Sequence, residues 1–162
     1  MGALDGFLVR QVEPEDWNRV RGVLVEWWAG RDLGDLLPRL FFQHFRTTSF
    51  VVQDGGELVA FLVGFLCPTH EDEAYIHFVG VDPTRRGRGI ARGLYERFFG
   101  LARAGGRTVV RAVTSPVNMS SIDFHMRMGF EVVPGAGKSE GVPVWHDYDG
   151  PGEPRVRFEL RL

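Results

Sequence analysis

The residues best suited to chemistry lie in the stretch 79–91, where glycines and arginines alternate. An apolar run ends at Pro83, and the segment 86–91 (Arg-Gly-Arg-Gly-Ile-Ala) then opens an amphipathic helix. A glycine turn before a helix leaves backbone N–H groups free, and the helix dipole adds positive potential behind them. Guanidinium groups that fit phosphate oxygens come from Arg85, Arg86 and Arg88. The stretch therefore predicts a site for a phosphorylated ligand.

Positive charge is concentrated around this turn. The chain carries a net charge of −2, which argues against a general affinity for nucleic acid. Between Asp82 and Arg111, however, there are eight arginines and only two acidic residues. The basic excess thus coincides with the predicted phosphate site.

Length and composition predict one soluble globular domain over residues 1–162, and the order of its predicted elements makes it mixed α/β. The chain is 44% apolar and 25% charged, and no run approaches the roughly 18 apolar residues of a spanning helix. Cys67 is the single cysteine, so no disulfide within the chain is expected. No secretory signal pattern opens the sequence. We therefore expect a cytoplasmic protein with no membrane partner, no nucleic-acid partner and no metal.

Hydrophobic periodicity divides the chain into alternating elements. Strands are predicted at 7–11, 49–53, 57–67, 74–81, 108–114, 131–133 and 155–162. Helices are predicted from 14 onward and at 35–45, 89–104 and 120–128. The glycine- and proline-rich segment 134–154 is predicted to be a long loop.

Two common glycine-loop motifs fit the sequence incompletely. Gly137-Lys138-Ser139 has the ending of a P-loop, but Val132 stands five residues before it and Pro143 follows where a helix is needed. Gly87 and Gly89 match a dinucleotide-binding motif, whose third glycine is replaced by an arginine and whose acidic residue in the next strand is missing.

A third pattern extends over more of the chain. The segment 86–91 resembles the Gln/Arg-x-x-Gly-x-Gly/Ala signature of the GNAT acetyltransferase superfamily. Residues 75–83 resemble that family's central strand with its terminal Val-x-Pro, and residues 118–130 resemble its Asn-to-Gly-Phe segment. The resemblance implies a mixed, mostly antiparallel twisted sheet of about seven strands, flanked by about four helices, with a splayed central strand pair.

The resemblance also implies acetyl-coenzyme A as the acyl donor. Its pyrophosphate would bind the backbone of the glycine turn, and its pantetheine would pair with the central strand like an added strand. Gly80 is expected to permit the bulge that opens the cleft. The coenzyme-binding residues predicted are Val79, Gly80, Val81, Arg86, Gly87, Arg88, Gly89, Ile90, Ala91 and Asn118.

The usual catalytic positions of the family hold histidines in this chain. The base is often a glutamate on the central strand, where His77 stands; the acid is often a tyrosine seven residues after the asparagine, where His125 stands. His77 can accept a proton from the amine, or it is a core histidine without a catalytic role. His125, as imidazolium, can protonate the departing thiolate, or it serves packing. Asn118 either contacts the coenzyme or caps a helix.

The sequence predicts an N-acyltransferase that moves an acetyl or other short acyl group to a primary amine of a small molecule or peptide. A non-catalytic acyl-coenzyme A binding module is the alternative, since both usual catalytic residues are replaced. Aromatic residues of the N-terminal helices either wall the acceptor site or form core. Trp145, His146 and Tyr148 lie in the predicted loop and can close over an acceptor. A homodimer is possible.

Overall fold

A computed structural model of the chain describes residues 2–162. Over this range the strands are β1 (Leu8–Gln11), β2 (Phe50–Asp54), β3 (Glu57–Leu66), β4 (Glu73–Val81), β5 (Val109–Thr114), β6 (Glu131–Val132), β7 (Gly137–Ser139), β8 (Val142–Val144) and β9 (Val156–Arg161). The helices are α1 (Asp16–Trp27), α2 (Leu40–His44), α3 (Ile90–Ala104) and α4 (Met119–Arg127). None of the helices in these residues is both long and apolar enough to cross a membrane.

Seven of the strands form one twisted sheet in the order β1-β2-β3-β4-β5-β9-β6. Every neighbouring pair is antiparallel except β4 and β5, which are parallel. The predicted mixed, mostly antiparallel sheet with about four flanking helices is confirmed.

Each face of the sheet is covered by a different pair of helices. Helix α3 presents residues at helical spacing to one face, where they pack with apolar residues of the sheet and α4; its buried stripe includes Ile90, Leu94, Phe98 and Ala102. Helices α1 and α2 cover the opposite face, where Val20, Leu24, Trp27 and Phe42 pack against strands β2 and β3. We call these the α3 face and the α1 face.

Strands β4 and β5 part after a short paired stretch. Their ladder covers only Glu73–Tyr75 against Val109–Arg111, although both strands continue beyond it. Arg111 ties the paired end together, because it bonds Glu73 on β4 at 2.8 Å and Glu159 on β9 at 2.7 Å. The predicted splayed strand pair is therefore present, with its closed end fixed by a three-residue ion network.

The bulge on β4 occurs at His77, so the prediction of a bulge at Gly80 is wrong. Phe78 pairs with Val63 and Ile76 pairs with Gly64, which leaves His77 as the extra residue. The extra residue directs both His77 and Phe78 toward the α1 face, where they pack on aromatic residues. Gly80 instead allows close packing of β4 against the α1 face, because a Cβ at this position would lie 2.5 Å from the Phe61 ring.

The single helix predicted at 35–45 is also wrong. The segment forms a 3₁₀ turn at Gly34–Leu36 and the separate short helix α2. Pro38 explains the break: it has no N–H to donate, and it forces the preceding Leu37 out of the helical region, to φ −125° and ψ 68°.

The predicted loop 134–154 contains an unpredicted hairpin. Strands β7 and β8 pair with Ser139 opposite Val142, so the turn consists of Glu140 and Gly141. Both turn residues have positive φ, 50° and 81°, as a type I′ turn requires. Glutamate is an unusual residue for that position, and the strands are only three residues long, which is why the pattern escaped sequence reasoning.

Gly64 lies opposite the bulge and is predicted to be sterically essential. An added Cβ would come within 2.6 Å of the Phe98 ring and 2.8 Å of the Tyr75 carbonyl oxygen. We expect Gly64→Ala to lower the free energy of unfolding by about 1–3 kcal/mol, as overpacking does elsewhere. Denaturant unfolding measures this change.

Gly22→Ala is the matched control for that substitution. Gly22 lies within α1, and nothing approaches its Cβ position within 4 Å. The control should be neutral or raise stability by up to about 1 kcal/mol, because alanine favours a helix over glycine. Equal stability of wild type and Gly64→Ala would contradict the steric argument.

Candidate active site

The glycine turn between β4 and α3 has a backbone shape that favours glycine. Gly87 and Gly89 adopt φ of +75° and +78°, a left-handed region that costs other residues free energy. Gly89 is the N-cap of α3, so the first N–H groups of that helix have no intrahelical partners. The residues from Arg86 to Gly89 are exposed. The turn thus presents free donors and a helix N-terminus at the surface.

The three arginines at the turn have different roles. Arg85 forms a salt bridge with Asp54 at 2.7 Å. Arg86 donates to the backbone carbonyls of Trp27 at 2.6 Å and Val81 at 3.2 Å, so its side chain braces α1 against the end of β4. Arg88 is exposed and forms no salt bridge within residues 2–162. Only Arg88 therefore has a guanidinium group fully available to an anion.

The open end of the splayed strands lies beside this turn. Val79 and Val81 are half-buried on the stretch of β4 that no longer pairs with β5, and they pack against the core of the α3 face. Asn118, across the cleft, caps α4: its side-chain oxygen accepts from Ser121 N at 3.3 Å and Ser120 Oγ at 3.1 Å. The predicted helix cap at Asn118 is therefore observed, and its contact with the coenzyme stays a prediction.

His77 projects from the bulge toward the α1 face. Its Nε2 lies 2.6 Å from the carbonyl oxygen of Leu36, which can only accept, so Nε2 carries the proton and Nδ1 has a free lone pair. The ring stacks on Phe41 with centroids 4.4 Å apart. Burial lowers the pKa of His77, and the Leu36 bond and the charge of Asp149 only partly offset this. A neutral imidazole with an available nitrogen results.

His125 is enclosed between α4, α3 and β9. Its Nδ1 donates to the Ser121 carbonyl at 2.7 Å, so Nε2 accepts from the hydroxyl of Tyr95 at 3.0 Å. The ring stacks on Phe158 with centroids 4.4 Å apart and planes 5° from parallel. Burial lowers the pKa of His125 to about 4. At neutral pH this histidine is uncharged.

This environment argues against the predicted imidazolium role of His125. Its single proton is directed to a backbone oxygen of its own helix, and its other nitrogen accepts a hydrogen bond. Sequence reasoning missed Tyr95, whose position on α3 does not reveal its contact with His125. Burial raises the pKa of the Tyr95 hydroxyl, so it stays protonated at neutral pH. The two residues join α3 to α4 through a neutral hydrogen bond.

The segment after β8 reaches the α1 face of the sheet. Trp145 bridges to Arg155, and beyond it Tyr148 and Asp149 lie near Tyr75 of β4. Burial, with Tyr148 and Asp149 nearby, raises the pKa of Tyr75. Tyr75 alternates with His77 along β4 and lies on the same face of the sheet, where its ring stacks on Phe65. These side chains border His77 on the side away from the glycine turn.

The predicted aromatic residues of the N-terminal helices divide between two roles. Trp27 and Phe42 are buried in the core of the α1 face, whereas Phe41 stacks on His77. Trp28 packs between Phe61 and Phe78. Within residues 2–162, no group of three or more His, Cys, Asp or Glu side chains could hold a metal ion.

Taken together, these features define an α/β protein in which two neighbouring strands of one sheet part and leave a cleft between them. A glycine turn at a helix N-terminus lies at the open end of the cleft, and a half-buried histidine lies at the bulge within it. Comparison with known proteins identifies the family. Residues 11–130 match the acetyltransferase (GNAT) family, and the chain belongs to that family.

Individual relatives agree with this assignment. An L-2,4-diaminobutyric acid acetyltransferase from Streptomyces coelicolor is 34% identical over 130 residues, covering 75% of this chain and 72% of the relative. One from Nocardia farcinica is 32% identical over 83 residues, which is 51% of this chain and only 43% of that relative. The crystal structure of Ard1 from Thermoplasma volcanium shares the fold, with a TM-score of 0.78 at 19% identity over 97% of this chain and 98% of that one.

The buried state of His125 predicts a pH dependence of stability. In the unfolded chain its pKa returns to about 6.5, so below that pH the unfolded state binds a proton that the native state excludes. The free energy of unfolding should therefore fall as the pH drops from about 6.5 to about 4, by up to roughly 3 kcal/mol. Denaturant unfolding across this range measures the slope.

His125→Phe isolates this contribution, because phenylalanine keeps the stack on Phe158 and does not titrate. His77 also has a lowered pKa and adds a slope of the same sign, which the variant retains. We expect a shallower pH dependence in the variant, whatever its absolute stability. Parallel curves for the two proteins would show that His125 is not held neutral.

Proposed function

We propose that this protein is an acetyl-coenzyme A dependent N-acetyltransferase whose acceptor is the primary amine of a small molecule. The observation that carries the proposal is the combination of the parted strands with the left-handed glycine turn at their open end. In the reaction a C–N bond replaces a C–S bond, and one proton passes from the amine to the sulfur.

The cleft offers suitable groups for each part of such a donor. The free N–H groups from Gly87 to Ala91 bind the pyrophosphate, supported by the dipole of α3 and by Arg88. The edge of β4 that bears Val79 and Val81 has no ladder partner on the β5 side and binds the extended amide-containing arm through backbone hydrogen bonds. Arg86 supports the turn from behind rather than contacting the phosphates.

His77 is proposed as the proton acceptor for the amine. Its Nδ1 lone pair is free because Nε2 donates to Leu36, and Phe41 holds the ring in place. The low pKa keeps the imidazole neutral at physiological pH, as a base requires. A bulge residue on the parted strand can meet an amine arriving from the α1 face, either directly or through a water molecule.

His125 is proposed as a positioning residue. The bond from Tyr95 and the stack on Phe158 fix α4 against α3 and the sheet. Relatives named as L-2,4-diaminobutyric acid acetyltransferases support a small amino acid with a side-chain amine as the acceptor.

Coenzyme binding tests the glycine turn. We expect the wild type to bind coenzyme A but not ATP in calorimetry, and to release thiol from acetyl-coenzyme A when a diamine is added. Gly87→Ala should weaken coenzyme A binding by at least about tenfold, because a Cβ at φ +75° strains the turn that presents the donors.

Gly106→Ala is the matched control for this experiment. Gly106 has φ of +78° with nothing within 4 Å of its Cβ position, so the backbone strain is the same, but it lies beyond the far end of α3. The control should lose similar stability and keep its affinity for coenzyme A. Binding without turnover on any amine would favour the non-catalytic module; no binding at all would overturn the proposal.

Removing the base should slow the reaction without loss of the coenzyme. We expect His77→Gln, which can still donate to Leu36, to lower kcat by about 10²- to 10⁴-fold while coenzyme A affinity is unchanged. The wild-type kcat should fall on the acid side as His77 gains a proton, below the usual range for histidine because its pKa is lowered. The exposed His44 supplies the control variant His44→Gln. An unchanged acid limb in His77→Gln would exclude His77 as the base.

A further inference from the structure

Arg157 occupies an unusual place on the α1 face. It lies on β9 opposite Val113 of β5, beyond the point where β5 leaves β4. Its guanidinium carbon is 4.5 Å from the ring centroid of Trp145 and 5.6 Å from that of Tyr148. The side chain is half-buried. We call Trp145, Tyr148 and Arg157 the Arg157 cluster.

Neighbouring arginines are neutralised, whereas Arg157 is not. Arg111 bonds Glu73 and Glu159, and Arg155 bonds Asp149 at 2.6 Å and Glu153 at 3.1 Å. Within residues 2–162, no carboxylate forms a salt bridge with Arg157. The two rings hold the guanidinium by its face and leave the planar edge, with its N–H fork, for another partner.

The cluster lies beside the residues proposed to receive the amine. Tyr148 adjoins Tyr75, and the charge of Arg157 opposes the rise in the pKa of Tyr75. Asp149, next in the chain to Tyr148, acts on both Tyr75 and His77. The unpaired cation, the tyrosine pair and the proposed base thus border one region of the α1 face.

We propose that Arg157 binds a carboxylate of the acceptor, so that the enzyme acetylates amino acids with a side-chain amine in preference to simple diamines. A carboxylate matches the guanidinium fork with two parallel N–H···O bonds, and this contact would fix the distance from the carboxylate to the reacting nitrogen. The inference rests on the proposed N-acetyltransferase function and assigns the residue that selects its acceptor.

Matched acceptors test this assignment. L-2,4-diaminobutyrate, ornithine and lysine are compared with 1,3-diaminopropane, putrescine and cadaverine, which are the same chains without the carboxylate. The wild type should have the higher kcat/KM for at least one amino acid over its own decarboxylated amine. Arg157→Gln should lower kcat/KM for that amino acid by about 10- to 100-fold, mainly through KM, as loss of a charge-assisted contact does. The paired amine should change by less than about twofold.

Two controls separate specificity from structure. Arg161→Gln removes a largely exposed arginine of the same strand and should leave both acceptors unchanged. Coenzyme A affinity of Arg157→Gln should equal that of the wild type. An equal loss for amino acid and amine would show that Arg157 only holds the loop, and a wild-type preference for the simple diamines would likewise overturn the inference. If none of the six amines supports thiol release, the proposed N-acetyltransferase function itself is overturned.

Discussion

The short parallel ladder between β4 and β5 is the constraint on which the rest of the molecule depends. Three residues on each strand pair, and Arg111 secures that end through carboxylates on both neighbouring strands. Beyond it, β4 stays with β3 and β5 stays with β9, so the sheet divides into two halves joined at one end. The glycine turn before α3 and the bulge at His77 both border the resulting gap.

The two faces of the sheet carry different parts of the candidate site. On the α3 face, the glycine turn and the start of α3 lie at the mouth of the gap, and the Tyr95–His125 bond holds α3 and α4 together deeper in. On the α1 face, the His77 ring lies against Phe41 and Leu36, and the bulge brings the next side chain, Phe78, to the same face. A donor and an acceptor could thus approach the gap from opposite faces.

Sequence reasoning predicted where the parted strands and the glycine turn lie, but not the environments of the side chains around them. The paired glycines, the apolar run before Pro83 and the apolar stripe of α3 are local patterns, and they predicted the turn, strand β4 and helix α3. The sheet with its parted strands was implied only by the resemblance to the family. The bulge position depends on register between β3 and β4, which Gly80 does not encode and Gly64 helps to set. The state of His125 depends on Tyr95, thirty residues away in sequence. In the sequence, Arg157 is one of several charged residues in an alternating strand. Only the structure shows that its guanidinium group packs on Trp145 and not on a carboxylate.

The parted strands also bear on how the chain avoids misassembly. An unpaired strand edge is a template for pairing with other chains, and many sheets protect their outer edges against aggregation. Here two unpaired edges face each other within the sheet, between flanking strands and beneath helices on both sides. A backbone surface that would be hazardous at the rim of the sheet is kept in its interior, away from the outer edges where another chain would add a strand.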